Sequence, residues 1–421
     1  MKVNVINPAV RGINQQRWQI FTILALMYIL VYFYRVSLAV VAGDVSQELS
    51  LSPEQLGAVA GALFYAYAIT QIPLGPLVDR FGGRLVITLC GILTFVGGVV
   101  FAQAQTITAL MLGRVLLGIG TGGVLMSAFV IFSKWYSKQE FGKATGMMVA
   151  VGNIGNIAGT APLALLVGLS GWRGAFLAIA IVQLIVTLLV FLKVRNEPEG
   201  GIVVHRATEP MSEHPGMLKA WKIIIQDRSF WLLAALSFCW FGNFMAVQGI
   251  WGGPYLMEVM NLSREMAGRL LMWVSIGFMV GSAMMDGIAR RVFKSYKWTL
   301  IVGQCGLLLL MTGFLGWLEI LPSVFWEFYF LAMGLTVSSG VMMYPIVRGA
   351  FPVAIVGTAL TLLNFFVLLG AAVAQHSMGF VVEWRGGYSP QALHAAFFFP
   401  LVCLLVTVLL YLFAKNQRTE G

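Results

Sequence analysis

Gly75-Pro76-Leu77-Val78-Asp79-Arg80-Phe81-Gly82-Gly83-Arg84 lies between two long apolar segments and is the one dense cluster of charge and glycine in the first hundred residues. The run reads as a tight hinge between two membrane helices. Glycine permits a close backbone turn. Asp79 can cap a helix start or pair with an arginine, and Arg80 and Arg84 can hold the loop at an anionic membrane surface.

Composition points the same way. Of 421 residues 59% are hydrophobic and 10% charged, and the mean hydropathy is +0.85, which no ordinary soluble globule shows. Apolar stretches long enough to cross ~30 Å of hydrocarbon as an α-helix recur along the chain. Twelve are expected, near 18–42, 55–78, 85–105, 107–133, 143–169, 172–194, 229–256, 266–289, 298–318, 324–347, 353–382 and 391–414. There is no alternating ten-residue pattern of a barrel. The expected fold class is an all-α membrane protein.

The net charge of +10 is not spread like a nucleic-acid footprint. Lys2, Arg11, Arg17, Arg80, Arg84, Lys134, Lys138, Lys143, Arg290, Arg291, Lys294, Lys297, Lys415 and Arg418 fall in loops on one side, against Arg173, Arg264, Arg269 and Arg385 on the other. The positive-inside rule then predicts a multi-pass protein of the cytoplasmic (inner) membrane with both termini cytoplasmic. No cleavable signal peptide is expected. Cys90, Cys239, Cys305 and Cys403 fall in separate apolar segments without metal-ligand spacing; they read as small core residues. No catalytic constellation, cofactor or metal site is expected, and the chain reads as a non-enzyme.

The hinge resembles the signature loop between helices two and three of the major facilitator superfamily, matching at Gly75, Leu77, Asp79, Arg80, Gly82 and Arg84 and departing at Gly83. The resemblance implies two pseudo-symmetric six-helix bundles, here 1–194 and 229–421, joined by a cytoplasmic linker at 195–228 in which Leu218 to Ile225 can form an amphipathic surface helix. Internal echoes agree with such a duplication. Ser263-Arg264-Glu265 repeats Ser52-Pro53-Glu54, and Asp286-Gly287-Ile288-Ala289-Arg290-Arg291 is a degenerate copy of the hinge. A substrate site is expected between the halves near the midplane.

Tyr28, Tyr32 and Arg35 are spaced by four and three residues and share one helical face. An arginine this deep in a span either faces a watery cavity or a partner, or snorkels to the headgroups; the two tyrosines favour the cavity. Tyr32 to Ala39, followed by Leu49 to Glu54, is similar to the first helix and outer loop of the anion:cation symporter branch, whose members carry organic anions, sugar acids and phosphate. That resemblance implies that Arg35 meets the anionic group of a substrate. Two positions often acidic in that branch are Tyr34 and Thr121 here.

Arg114, ahead of the glycine run 118–123, resembles the arginine of the superfamily's fourth helix, with a structural or gating role. Asn153, Asn156 and Thr160 share a face of a glycine-rich span, as interhelical glue or substrate contacts. In the second half Trp240, Asn243, Phe244, Gln248 and Trp251 define one face, and Asn364, Leu368, Ala371 and Gln375 another.

The expected function is secondary transport of a small organic anion by alternating access, with proton-coupled symport. The expected binding residues are Arg35, Tyr28, Tyr32, Asn153, Asn156, Asn243, Gln248 and Asn364. Asp79, Arg80, Arg84, Arg114 and Asp286 are the gating residues; Asp79 is expected to meet the start of span eleven and Asp286 that of span five. Asp44 and His376 are the substitute proton sites. The partners are the solute, a coupling proton and the lipid bilayer, with no nucleic acid, and the protein is expected to be a monomer. The alternatives are an exchanger or efflux carrier of amphipathic solutes, or a solute sensor that moves nothing.

Overall fold

The computed structural model describes residues 8–198 and 217–414. Within the first stretch the helices are α1 (Pro8–Val36), α2 (Leu38–Leu49), α3 (Pro53–Phe81), α4 (Gly83–Ala102), α5 (Ile107–Gly122), α6 (Val124–Trp135), α7 (Lys138–Gly152), α8 (Ile154–Ala158) and α9 (Ala161–Lys193). The second stretch holds α10 (Met217–Gln226), α11 (Arg228–Met245), α12 (Gly252–Pro254), α13 (Arg264–Ile288), α14 (Tyr296–Met311), α15 (Trp317–Ile320), α16 (Trp326–Val337), α17 (Met343–Ala350), α18 (Val353–Trp384) and α19 (Pro390–Tyr411). Short π-helical segments, Ala246–Trp251 and Tyr255–Val259, continue α11 through α12.

Eleven of the described helical runs are long and apolar enough to cross a membrane. The expected fifth span is not one continuous helix. It is divided among α7, α8 and the first turns of α9, and the sixth follows within α9 after Gly171, whose φ of +69° turns the backbone into the left-handed region. The break at Asn153 has a local cause: its side-chain amide donates to the Val149 carbonyl at 3.0 Å, competing with the helical ladder. Span one also ends earlier than expected, at Val36, and α2 restarts after Ser37. Leu89, Leu112, Leu165, Ile185, Leu309, Phe380 and Leu409 are exposed around the outside, where hydrocarbon rather than water is the solvent. Cys305 joins them instead of packing in the core, whereas Cys90 and Cys239 are buried. The amphipathic helix expected at 218–225 is α10, and Ile224 is its buried anchor.

One end of the molecule carries the residues flanking the linker and is called the linker end; the opposite end, at Ser50–Ser52, Met260–Ser263 and Arg385–Ser389, is the far end. At the far end α3 lies against α18, so that a β-carbon at Gly57 would meet the Gln375 carbonyl oxygen at 2.7 Å and one at Gly379 the Pro53 carbonyl oxygen at 2.5 Å. Gly268 of α13 meets Ala161 and Ala164 of α9 in the same way. Nearer the linker end, Gly75 of α3, Gly287 of α13, Gly357 of α18 and Gly146 of α7 face open space. Small residues let the backbones approach on one side of the membrane only, so the halves meet at the far end and part toward the linker end.

Polar ties between the halves lie at the far end too. Asp44 of α2 pairs with Arg264 of α13. Glu383 of α18 accepts from the Ser52 hydroxyl at 2.5 Å and from the Glu54 N–H at 2.9 Å. A carboxylate from the second half thus sits on the positive N-terminal end of α3, itself closed by a capping box between Ser52 and Gln55.

Candidate functional site

Arg35 occupies the last turn of α1 and is 8% exposed. Its guanidinium carbon lies 4.8 Å from the ring centroid of Tyr32 and 4.8 Å from that of Tyr67 on α3. Desolvated cation–π contacts of this kind stabilise by ~2 kcal/mol or more. Tyr28 packs edge-on against Tyr32 at 4.9 Å, and Tyr344 of α17 is close enough to interact electrostatically with Arg35, Tyr32 and Tyr67. Buried Nε of Arg35 has no acceptor, and among the described residues no carboxylate pairs with Arg35. Tyr67 and Tyr344 were not singled out from the sequence. A tyrosine in an apolar helix carries no mark distinguishing it from Tyr65, and only the crossing of α1 and α3 brings it to the arginine.

The neighbouring arginine behaves differently. Arg114 is fully buried and donates from Nε to the Val59 carbonyl at 3.2 Å, from Nη1 to Tyr34 at 3.1 Å and from Nη2 to Ala60 at 3.2 Å. The Tyr34 carbonyl thus receives a guanidinium N–H within the last turn of α1, next to the break between α1 and α2. Arg114 is therefore a cross-link of α1, α3 and α5. Thr121 bonds back to the Leu117 carbonyl at 2.6 Å, within its own helix.

Most of the expected amides serve helix packing. Asn153 accepts from the Asn156 side chain at 3.1 Å; both are buried where Gly152 and Gly155 press α7 and α8 onto α1. Asn243 donates to the carbonyls of Cys239 and Pro400 at 2.8 and 2.9 Å, joining α11 to α19. Gln248 donates to Ser275 at 2.9 Å, and Gln375 to the Met245 carbonyl at 3.1 Å. Trp240, Phe244 and Trp251 are core residues: Trp240 donates to the Val337 carbonyl at 2.8 Å and Trp251 to that of Gln375 at 3.0 Å, while Phe244 stacks on Phe278 at 5.2 Å. Asn364 is half-buried and makes no hydrogen bond to the described residues.

Of the expected proton sites, Asp44 is held by Arg264, and its second carboxylate oxygen is buried without a partner. His376 is half-buried on α18, its carbonyl against Gly57. The Asp79 side chain lies outside the described residues. Arg80 is exposed beside the Phe81 ring, and Arg84 donates to the Phe191 carbonyl at 2.5 Å, within the first half. Asp286 does not meet the start of span five: it binds Arg290 at 3.0 Å and the Tyr296 hydroxyl at 3.3 Å in its own half. The reason is the parting of the halves at this end. Two far-end glutamates are engaged rather than solvated, Glu383 by α3 and Glu319 by His394 at 2.6 Å and Tyr255 at 3.2 Å. Outside the spans, hydrogen bonds from Arg173 and Trp172 hold the Glu48 carboxyl below its ordinary range.

Similar proteins agree with this architecture. The chain is 27% identical over 286 residues to the probable sulfoacetate transporter of Cupriavidus necator, covering 66% of each. It is 26% identical over 261 residues to the probable L-galactonate transporter of Escherichia coli, spanning 60% of this chain and 56% of that protein. It is 23% identical over 430 residues to a probable hexose phosphate transport protein of Chlamydia trachomatis, spanning 96% and 92%. Among solved structures, a bacterial homolog of the human lysosomal transporter Spinster, described as inward-facing and unoccupied, superposes with a TM-score of 0.76 at 19% identity, over 95% of this chain and 97% of that one. With the sequence model of the Major Facilitator Superfamily matching residues 24–375, the chain belongs to that superfamily.

Proposed function

We propose that the protein is a secondary transporter that carries a small organic anion across the cytoplasmic membrane by alternating access, with Arg35 as the residue that holds the anionic group. The observation that carries this reading is a buried guanidinium in the last turn of α1, between Tyr32 and Tyr67, with an unsatisfied Nε and no carboxylate partner among the described residues. A charge in that position calls for a counter-charge, and an incoming anion supplies it. Relatives named for sulfoacetate and galactonate transport support the same reading. The basic loops put the linker end in the cytoplasm, so the conformation described here opens inward. Tyr28, Tyr32 and Tyr67 shape the pocket from the first half, and Tyr344 and Asn364 close it from the second. The division into 1–194, 195–228 and 229–421 supplies the two rocking bodies, and Asp79, Arg80, Arg84 and Asp286 govern the cytoplasmic opening.

Uptake of an anion against an inside-negative potential costs about 2.3 kcal/mol per charge per 100 mV, which a co-transported proton offsets. Asp44 and His376 are the titratable groups placed to carry it. An exchanger is the second reading, favoured by Tyr34 and Thr121 standing where the resembled branch often has acids. Proteoliposomes decide between them. Accumulation driven by an inside-alkaline gradient, lost in the double variant Asp44→Asn, His376→Gln, is the expected result; transport that ignores pH but accelerates with counter-solute identifies an exchanger. Saturable uptake that survives Arg35→Ala overturns the anion reading itself.

A further inference from the structure

The surroundings of Arg35 also limit how much charge the substrate carries; this step rests on the anion reading above and deepens it. The groups that interact electrostatically with Arg35 are Tyr28, Tyr32, Tyr67 and Tyr344, all phenols that are neutral near pH 7. Among the described residues, no carboxylate, lysine, histidine or second arginine belongs to that group. Arg114, the other deeply buried guanidinium, has its donors committed to three backbone carbonyls. Arg264 and Arg173 are paired with Asp44 and Glu48 at the far end. His376 is not among the groups that interact with Arg35, Tyr28, Tyr67 or Tyr344. The residues of the cage therefore carry one positive charge between them.

A monovalent anion brings that charge to zero. A divalent anion leaves one negative charge away from bulk water with nothing to pair it, and an unpaired buried charge is strongly disfavoured. The Tyr32 and Tyr67 rings lie against the guanidinium and the Tyr67 side chain takes one of its hydrogen bonds, so a ligand meets the remaining N–H donors, Nε among them, whose planar geometry matches a carboxylate. The geometry points to a site for singly charged carboxylates that excludes dicarboxylates, sulfocarboxylates and phosphate monoesters, although relatives are named for sulfoacetate and hexose phosphate.

The test is a binding panel on the purified full chain at pH 7.5, by thermal shift and calorimetry. Gluconate is compared with glucarate and benzoate with phthalate, together with L-galactonate, sulfoacetate and glucose 6-phosphate, on wild type, Arg35→Gln and Arg35→Lys. A monovalent ligand bound in an Arg35-dependent way, with its divalent counterpart at least ~100-fold weaker, is expected. Arg35→Lys keeps the single charge and retains the preference at lower affinity, so the limit is readable even where Arg35→Gln does not fold. A divalent ligand bound as tightly as its monovalent counterpart, and lost in Arg35→Gln, overturns the charge limit while leaving the anion reading standing. Binding indifferent to Arg35, or a panel with no Arg35-dependent ligand, overturns both.

Discussion

Asp44 and Arg264 form an ion pair that ties the first half of the chain to the second at the far end, with side chains 27% and 29% exposed. A partly exposed pair of this kind contributes ~1 kcal/mol or less. Its leverage comes from position, since the pair exists only while the far end is closed.

Asp44→Asn is expected to shift the balance toward far-end opening by up to roughly fivefold, the ratio corresponding to ~1 kcal/mol. Maleimide labelling of a cysteine introduced at Ala164, buried where α9 meets Gly268 of α13, should accelerate accordingly. The exchanged pair Asp44→Arg, Arg264→Asp should restore the wild-type rate; no rescue would mean that the contact does not hold the end shut.

Arg114 and Arg35 should separate stability from transport. Arg114→Ala strips three carbonyls of a charged donor, each such bond stabilising by ~1.5–3 kcal/mol, and should lower the melting temperature markedly. Arg35→Ala removes a group that, among the described residues, meets no carboxylate and no backbone carbonyl across helices, and should leave the melting temperature much nearer wild type while abolishing saturable uptake. The reverse pattern would exchange their roles.

Two glycines of the fifth span should respond oppositely to alanine. At Gly155 a β-carbon would collide with the Ile29 carbonyl, so the substitution forces α8 away from α1 at a cost of ~1–3 kcal/mol. Gly146 faces open space within α7, where alanine gains up to ~1 kcal/mol of helix propensity. Thermal melts of the two variants check both signs.

Stability at the far end should fall in acid. Glu48 is held below its ordinary range first by the hydrogen bond from Arg173 and then by that from Trp172. A depressed carboxyl stabilises fully above its unfolded pKa of ~4.3 and loses that contribution as pH drops through the lower folded value. Melting temperatures measured from pH 7 to pH 3 should therefore decline less steeply in Glu48→Gln than in wild type.

Local chemistry made part of this readable in the chain. Ser52 and Ser263 start helices because a serine ahead of an acidic first turn caps a helix wherever it stands. The apolar runs are helices because lipid leaves the backbone no other way to satisfy its hydrogen bonds. Arg35 stands out in the sequence for a similar reason: a charge within such a run needs a partner whatever the fold. What the sequence could not supply is which groups meet across helices. Asn243 and Gln248 have the same polarity as site residues, but each binds a backbone carbonyl or hydroxyl brought to it by a neighbouring helix. Arg114 and Arg35 are the same side chain in similar apolar surroundings, and only the crossing of α1, α3 and α5 gives one three carbonyls and leaves the other between two rings. Likewise Glu383 reads as a solvated helix end until α3 places its N-terminus against it. Hydrophobic length and capping act over a few residues and are written in order along the chain, whereas the partner of a buried polar group is set by helices far apart in sequence, which only packing brings together.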